Sequence, residues 1–146
     1  LFALLGIYFY SRWREKSTSK KLEEERRNKE LEEARELQNS LLPKVIPSRK
    51  EYDISVYLKS ATEVGGDYYD FIESEDKELF VVCGDATGHG VVSGIMVSVT
   101  KAGLNGIKMS NPGSILNHLN SIVKRVNFGR LRMSLSVAKI KKSDII

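Results

Sequence analysis

Two short acidic turns contain the residue types in this sequence that could do chemistry. They are residues 64–70 (VGGDYYD) and residues 83–90 (CGDATGHG). Glycines beside an aspartate let two stretches of backbone approach closely, so that a carboxylate and a main-chain carbonyl can converge on one ion. Oxygen-only ligands select Mg²⁺ or Mn²⁺ over Zn²⁺. The residues indicate either a divalent-metal site or, as the alternative, glycine-rich turns with solvated aspartates.

Other kinds of site fit these turns less well. Residues 84–90 lack the acidic positions and closing glutamate of an EF-hand and the Gly-Lys-Ser/Thr of a phosphate loop. The only histidines are His89 and His118, which does not support a zinc site, and His89 could equally be a turn residue that orients a neighbour. The single cysteine, Cys83, excludes an internal disulfide and is predicted to be a small buried hydrophobic residue.

The segments around the turns predict β-strands that would position them. Apolar and polar residues alternate from Tyr52 to Leu58, which is the period of a half-buried strand. Residues 68–72 and 79–83 predict two more strands, joined by a polar turn at 73–77, and residues 131–140 return to alternation.

Helices are predicted between and before these strands. Residues 91–107 form an apolar run longer than most strands, which favours a helix. Asn111-Pro112 is a helix start signal, and an apolar face follows it as far as Val126. The charged residues 11–44 contain no glycine, and Pro43 should end the helix that they predict. This linker is either a solvated helix or a coiled-coil-like helix that supports a homodimer.

The first ten residues, LFALLGIYFY, are wholly apolar, but they are half as many as the ~20 that span a bilayer. Basic residues follow this run, and aromatic residues lie at its boundary. This order predicts that residues 1–10 end a transmembrane helix at the cytoplasmic membrane, with the rest in the cytoplasm. A buried helix of a soluble protein is the alternative. The formal net charge of +4 comes from interleaved acids and bases, and we predict no nucleic-acid partner.

Three motifs occur in a recognisable order: residues 36–43 (ELQNSLLP), 63–70 (EVGGDYYD) and 84–90 (GDATGHG). Together they resemble the bacterial SpoIIE/RsbU-type phosphatases of the PPM (PP2C-like) superfamily. The resemblance implies an α+β fold in which two antiparallel sheets pack together with helices outside. Residues 51–146 would be the N-terminal part of that sandwich, and the sequence would be a piece cut at both ends.

The resemblance also implies a site. Asp85 would bridge two Mn²⁺ or Mg²⁺ ions, Ala86 would offer its backbone carbonyl, and Asp67 would ligate a metal or hold its water. Asp70, Gly66 and His89 are further candidates in the same motifs. Ala86 and Thr87 replace the usual Val-Ser pair, which preserves the carbonyl and a small hydroxyl.

Members of this family hydrolyse phosphoserine or phosphothreonine in signal transduction, often on small STAS-type anti-sigma-factor antagonists. The family completes its metal site with a later Thr-Asp-Gly-type segment and a terminal aspartate pair. Residues 1–146 contain neither, and Asp144 is not in such a motif. We therefore expect residues 1–146 alone to have incomplete metal coordination and little activity. The alternative is a phosphatase-like interaction module without chemistry.

Overall fold

The computed structural model describes residues 2–50, 52–59, 64–108 and 111–140. Its elements are α1 (Phe2–Leu41), β1 (Asp67–Glu73), β2 (Leu79–Ala86), α2 (Val91–Asn105), α3 (Pro112–Val126) and β3 (Met133–Ile140). The predicted α+β class is confirmed, with one three-stranded sheet in this part of the chain. Glu63 of the second motif and Asp144 lie outside the described residues.

The sheet has the order β1-β2-β3, and both neighbouring pairs are antiparallel. A tight turn joins β1 to β2: the backbone N–H of Ser74 donates to the carbonyl of Glu78 at 2.9 Å. Lys77 has the left-handed φ of 62° within this turn. The predicted strands at 68–72, 79–83 and 131–140 and the turn between the first two are therefore confirmed, with slightly different ends.

The two faces of the sheet have different surroundings because side chains alternate along each strand. One face, called here the helix-covered face, contributes Tyr68, Phe80 and Val82 to the core. Side chains of α2 and α3 complete this core: Val97, Leu104, Ile115 and Leu119. The opposite face, called here the second face, has residues 67, 69 and 71 of β1, 81, 83 and 85 of β2, and 134 and 136 of β3. Its residues are half-buried or exposed.

Cys83 lies on the second face and is exposed, so the prediction of a buried cysteine is wrong. The apolar run that suggested burial belongs to a strand whose alternate residues face different surroundings. Phe80 and Val82 are fully buried on the helix-covered face. No helix among the described residues covers Cys83 on the other face.

The strand predicted from Tyr52 to Leu58 is not formed. The only pairing there is an isolated bridge between Arg49 and Tyr52. Exposure still alternates, since Ile54 and Val56 are half-buried and Asp53 and Ser55 are exposed. A strand also needs a hydrogen-bonded partner, and no described strand pairs with this segment. The segment instead lines a cavity together with second-face residues such as Phe71 and Val81.

Helices α2 and α3 confirm both helix predictions. They approach closely at Gly103, where a Cβ atom would lie 2.9 Å from side-chain atoms of both Leu119 and Ile122. Asn111 is the N-cap of α3, and its side-chain oxygen accepts from the backbone N–H of Ser114 at 2.9 Å. Pro112 occupies the first turn, where its missing N–H removes no helical hydrogen bond.

Helix α1 is continuous over 40 residues and ends at Leu41, two residues before Pro43. The helix predicted within residues 11–44 is thus confirmed as far as Leu41. No helix in the described ranges is both long enough and apolar enough to cross a membrane. The membrane segment at 1–10, the boundaries 11–44 and 51–146, and the homodimer stay predictions.

Replacing the N-cap tests the local argument for α3. Asn111→Ala removes the acceptor for the Ser114 N–H, and we expect it to lower the free energy of unfolding by about 1 kcal/mol. Urea unfolding followed by circular dichroism measures the change. The control is Asn120→Ala at an exposed position within α3, where alanine favours the helix. Equal losses in both variants would show that capping has no special role.

Candidate metal centre

The β1–β2 register places Asp67 directly opposite Asp85. Residues opposite each other in an antiparallel pair point to the same face, with Cβ atoms typically about 5 Å apart. Both aspartates are exposed and lie on the second face. Two carboxylates from neighbouring strands therefore lie on the same face at the end of the sheet.

Gly66 lets the second strand approach this site closely. The backbone N–H of Ala86 donates to the Gly66 carbonyl at 3.0 Å, which continues the ladder beyond β1. A Cβ atom on Gly66 would overlap the carbonyl oxygen of Ala86 and lie 2.8 Å from Oδ1 of Asp85. Both oxygens thus converge on the space that any other residue would fill. The glycine is required by this contact rather than by its φ angle.

These atoms fit the donor set that a hard divalent cation needs. Asp67 and Asp85 offer carboxylates, and Ala86 offers a main-chain carbonyl beside them. The described ranges contain no cluster of three or more His, Cys, Asp or Glu side chains able to hold an ion by themselves. The arrangement is therefore a partial ligand set.

Asp70 does not join this set, because the structure places it on the helix-covered face. Its buried carboxylate accepts from the Tyr68 hydroxyl at 2.7 Å, from Nζ of Lys101 at 2.8 Å and from the Phe71 backbone N–H at 2.9 Å. These three donors satisfy a charge that would otherwise be costly to bury. The Asp70 carboxylate is therefore already paired and lies on the opposite face from Asp67 and Asp85.

The ion pair between Lys101 and Asp70 connects α2 to β1 beneath the candidate site. Burial raises the pKa of the Tyr68 phenol above its usual range, and the hydrogen bond to Asp70 and the Asp70 charge add to this effect. Tyr68 therefore stays protonated and keeps donating to Asp70. The alternation of residues 67–70 was the one sequence signal that separated Asp70 from Asp67.

The loop after β2 is hydrogen-bonded to the start of the first acidic turn. The Gly90 N–H donates to the Val64 carbonyl at 3.0 Å, which joins the end of the second turn to the start of the first. Gly88 and Gly90 have φ angles of 91° and 78°, in the region that favours glycine. His89 lies between them and is exposed. The structure thus holds His89 at the rim of the site without joining it to the carboxylates.

The end of α1 contacts the first turn directly. Nε2 of Gln38 donates to the Gly65 carbonyl at 2.5 Å, and the Gly65 N–H donates to Oε1 of Gln38 at 3.0 Å. One side-chain amide therefore satisfies both polar backbone groups of the residue that precedes Gly66. This contact gives a physical role to the first of the three motifs.

Removing Lys101 should leave the buried Asp70 charge without its cation. We expect Lys101→Met to lower the free energy of unfolding by about 3 kcal/mol, as for a broken buried ion pair. Chemical denaturation measures this free energy of unfolding. The control is Lys108→Met, since Lys108 and its partner Glu75 are 78% and 80% exposed, and such pairs contribute little. A Lys101 variant as stable as this control would contradict the argument.

Comparison with known proteins begins with sequence. No protein-family model matches the chain. It is 26% identical over 98 residues to the phosphoserine phosphatase RsbU of Bacillus subtilis, which is 66% of this chain and 29% of that protein. It is 30% identical over 73 residues to Protein IcfG of Synechocystis, covering 50% of this chain and 12% of that one. The chain therefore spans less than a third of either relative.

The fold has a solved counterpart. The SiaA-PP2C domain of Pseudomonas aeruginosa matches with a TM-score of 0.57 at 16% sequence identity, covering 83% of this chain and 62% of that one. At this identity the likeness concerns the fold alone. The three antiparallel strands and three helices thus resemble a PP2C domain, as the three motifs predicted.

Proposed function

We propose that this chain, a PPM-type phosphatase relative of the SpoIIE/RsbU kind, forms half of a two-metal centre that hydrolyses phosphoserine or phosphothreonine in a protein substrate. The pairing of Asp67 with Asp85 beside the Ala86 carbonyl carries the proposal. These oxygens are the donors that Mn²⁺ and Mg²⁺ prefer.

The residues have distinct roles in this proposal. Asp85 would hold both ions through its carboxylate, Ala86 would contribute its carbonyl, and Asp67 would ligate an ion or hold its water. When bound, the ions would activate water near neutral pH and neutralise the phosphoryl oxygens during in-line displacement. Gly66 keeps the space between the strands open for these oxygens. His89 at the rim is available to orient the water or the substrate.

The exposure of the site supports a protein substrate. Asp67 and Asp85 are both exposed at the end of the sheet, where a phosphorylated loop could reach them. The name of the Bacillus subtilis relative describes a phosphoserine phosphatase. We propose a phosphorylated STAS-type regulatory protein as the substrate, in bacterial signal transduction.

We also propose that α1 carries a signal to this centre. Gln38 bonds both polar backbone groups of Gly65, so a shift or rotation of α1 would move the turn that holds Asp67. In this proposal residues 1–10 attach the protein to the cytoplasmic membrane, and residues 11–44 support a homodimer. The phosphatase domain then lies in the cytoplasm.

A second candidate is a phosphatase-like interaction module without chemistry. Within the described ranges the site has two carboxylates and one carbonyl, which is fewer than two ions need. The remaining ligands would have to come from elsewhere in the full-length protein. Hydrolysis of a phosphoprotein by the full-length protein would distinguish the phosphatase from the interaction module.

Removing the Asp85 carboxylate tests the proposed metal-dependent hydrolysis. The full-length protein should release phosphate from a phosphoserine protein only with Mn²⁺ or Mg²⁺, and Asp85→Asn should lower kcat by at least about 100-fold because it weakens charge stabilisation in the transition state. Phosphate release in the presence and absence of EDTA measures both effects.

The matched control is Asp76→Asn, which makes the same chemical change in the exposed turn between β1 and β2. It should leave the rate unchanged. Full activity of the Asp85 variant, or hydrolysis that persists in EDTA, would rule out this mechanism. Absence of hydrolysis by the wild-type protein with either metal would favour the interaction module.

Filling the space at Gly66 tests the geometry of the site. The Cβ of Gly66→Ala would collide with the Ala86 carbonyl and Asp85, so we expect Mn²⁺ affinity to fall at least about tenfold as these ligands are displaced. Isothermal titration calorimetry of the full-length protein with Mn²⁺ measures this affinity. The control is Gly106→Ala, where the nearest atom to the new Cβ lies at 3.5 Å. Unchanged Mn²⁺ affinity in the Gly66 variant would contradict the proposed ligand set.

A further inference from the structure

The loop that leads into β3 is fixed beside the candidate metal centre. The Thr87 N–H donates to the Arg132 carbonyl at 2.7 Å, and the Arg132 N–H donates to Oγ1 of Thr87 at 2.9 Å. Thr87 directly follows Ala86, whose partner in the β2–β3 register is Met133. Arg132 therefore lies one step along the ladder from the carbonyl offered to the metal.

The Arg132 side chain is held by its own loop. Nη1 donates to the carbonyls of Gly129 at 2.9 Å and Leu131 at 2.7 Å. Gly129 has a φ of 64°, which shapes the turn that presents these carbonyls. Both N–H groups of Nη1 are thus used within the loop, and the guanidinium is oriented before any ligand arrives.

The other edge of the guanidinium remains for a ligand. Arginine has five N–H donors, and its Nε–Nη2 edge can bind two oxygens of a phosphate or carboxylate at once. No carboxylate within the described part of the chain pairs with Arg132, and its side chain is exposed. An exposed arginine next to the candidate metal centre is a suitable binding group for an oxyanion.

The charge around this loop supports that role. Arg130 is also exposed, so two cationic side chains lie within three residues in the loop that leads into β3. Asp67 and Asp85, the nearby carboxylates of the centre, are assigned to the metals in the proposed function. A cationic edge attracts an anionic substrate and raises its local concentration.

We propose that Arg132 binds an oxyanion of the phosphoprotein substrate next to the candidate metal centre. The oxyanion is either the phosphoryl group itself or a carboxylate that flanks the phosphoserine. This assignment rests on the proposed function for the substrate class. Its test is a binding measurement that needs no turnover.

The test uses the full-length protein with Mn²⁺ and two fluorescein-labelled peptides. Each peptide carries a non-hydrolysable phosphonate analogue of phosphoserine, flanked in one by alanines and in the other by glutamates. Arg132→Met should raise the Kd from fluorescence anisotropy about tenfold, because it removes a charge-assisted bidentate contact. Arg132→Lys keeps the charge and should give an intermediate Kd.

The matched control is Arg125→Met, which removes the same charge from an exposed position in the last turn of α3. Its Kd values should stay within twofold of the wild-type values. Mn²⁺ affinity should be unchanged in the Arg132 variants, because the bonds to Thr87 use only backbone groups of residue 132. The Nη1 bonds to Gly129 and Leu131 are exposed, so their loss should lower thermal stability only slightly. The KM for p-nitrophenyl phosphate then indicates the oxyanion: it rises if Arg132 binds the phosphoryl group.

The outcomes test oxyanion binding by Arg132 separately from the proposed phosphatase activity. Weaker binding of both peptides assigns the phosphoryl group, and weaker binding of the glutamate peptide alone assigns the flanking carboxylate. Unchanged Kd values for both peptides overturn the proposal, as does a loss of Mn²⁺ affinity or stability that accounts for the weaker binding. A wild-type protein that binds the peptides without hydrolysing phosphoserine would contradict the phosphatase but still test Arg132.

Discussion

The antiparallel register of β1 with β2 is the constraint on which the candidate site depends. It brings Asp67 opposite Asp85 and lets Gly66 contact Ala86. Side chains alternate between faces, so a slip of one residue would turn one aspartate toward the helices and separate the two carboxylates. The tight turn between the strands fixes their register locally, and burial of Phe80 and Val82 under α2 and α3 fixes it globally.

The two faces of the sheet hold aspartates in different environments. On the helix-covered face, Asp70 is saturated by Tyr68, Lys101 and a backbone N–H, and this network links α2 to β1. On the second face, Asp67 and Asp85 have solvent around them and remain available to ions. Asp67 and Asp70 are three residues apart and have different environments: Asp70 is desolvated and paired, and Asp67 is exposed.

Hydrogen bonds to backbone groups connect the two acidic turns to each other and to two other segments. Gln38 of α1 bonds to Gly65, Gly90 bonds to Val64, and Arg132 bonds to Thr87. Each contact fixes the backbone next to a proposed ligand without using the ligand side chain. A signal through α1 and a substrate at Arg132 would thus reach the centre from different sides, through turns that the glycines keep close together.

The sequence by itself determined the local elements and the candidate ligands. Strand alternation, the Asn111 cap and the glycine-flanked aspartates act over a few residues, and the motifs indicated a resemblance to the SpoIIE/RsbU-type phosphatases. Only the tertiary structure assigned the long-range relations. It placed Asp70 with Lys101, exposed Cys83, left residues 52–58 without a paired strand and brought Arg132 to Thr87. The reason is physical: alternation tells which residues share a face, but the packed helices decide which face is buried, and only a partner strand completes a ladder.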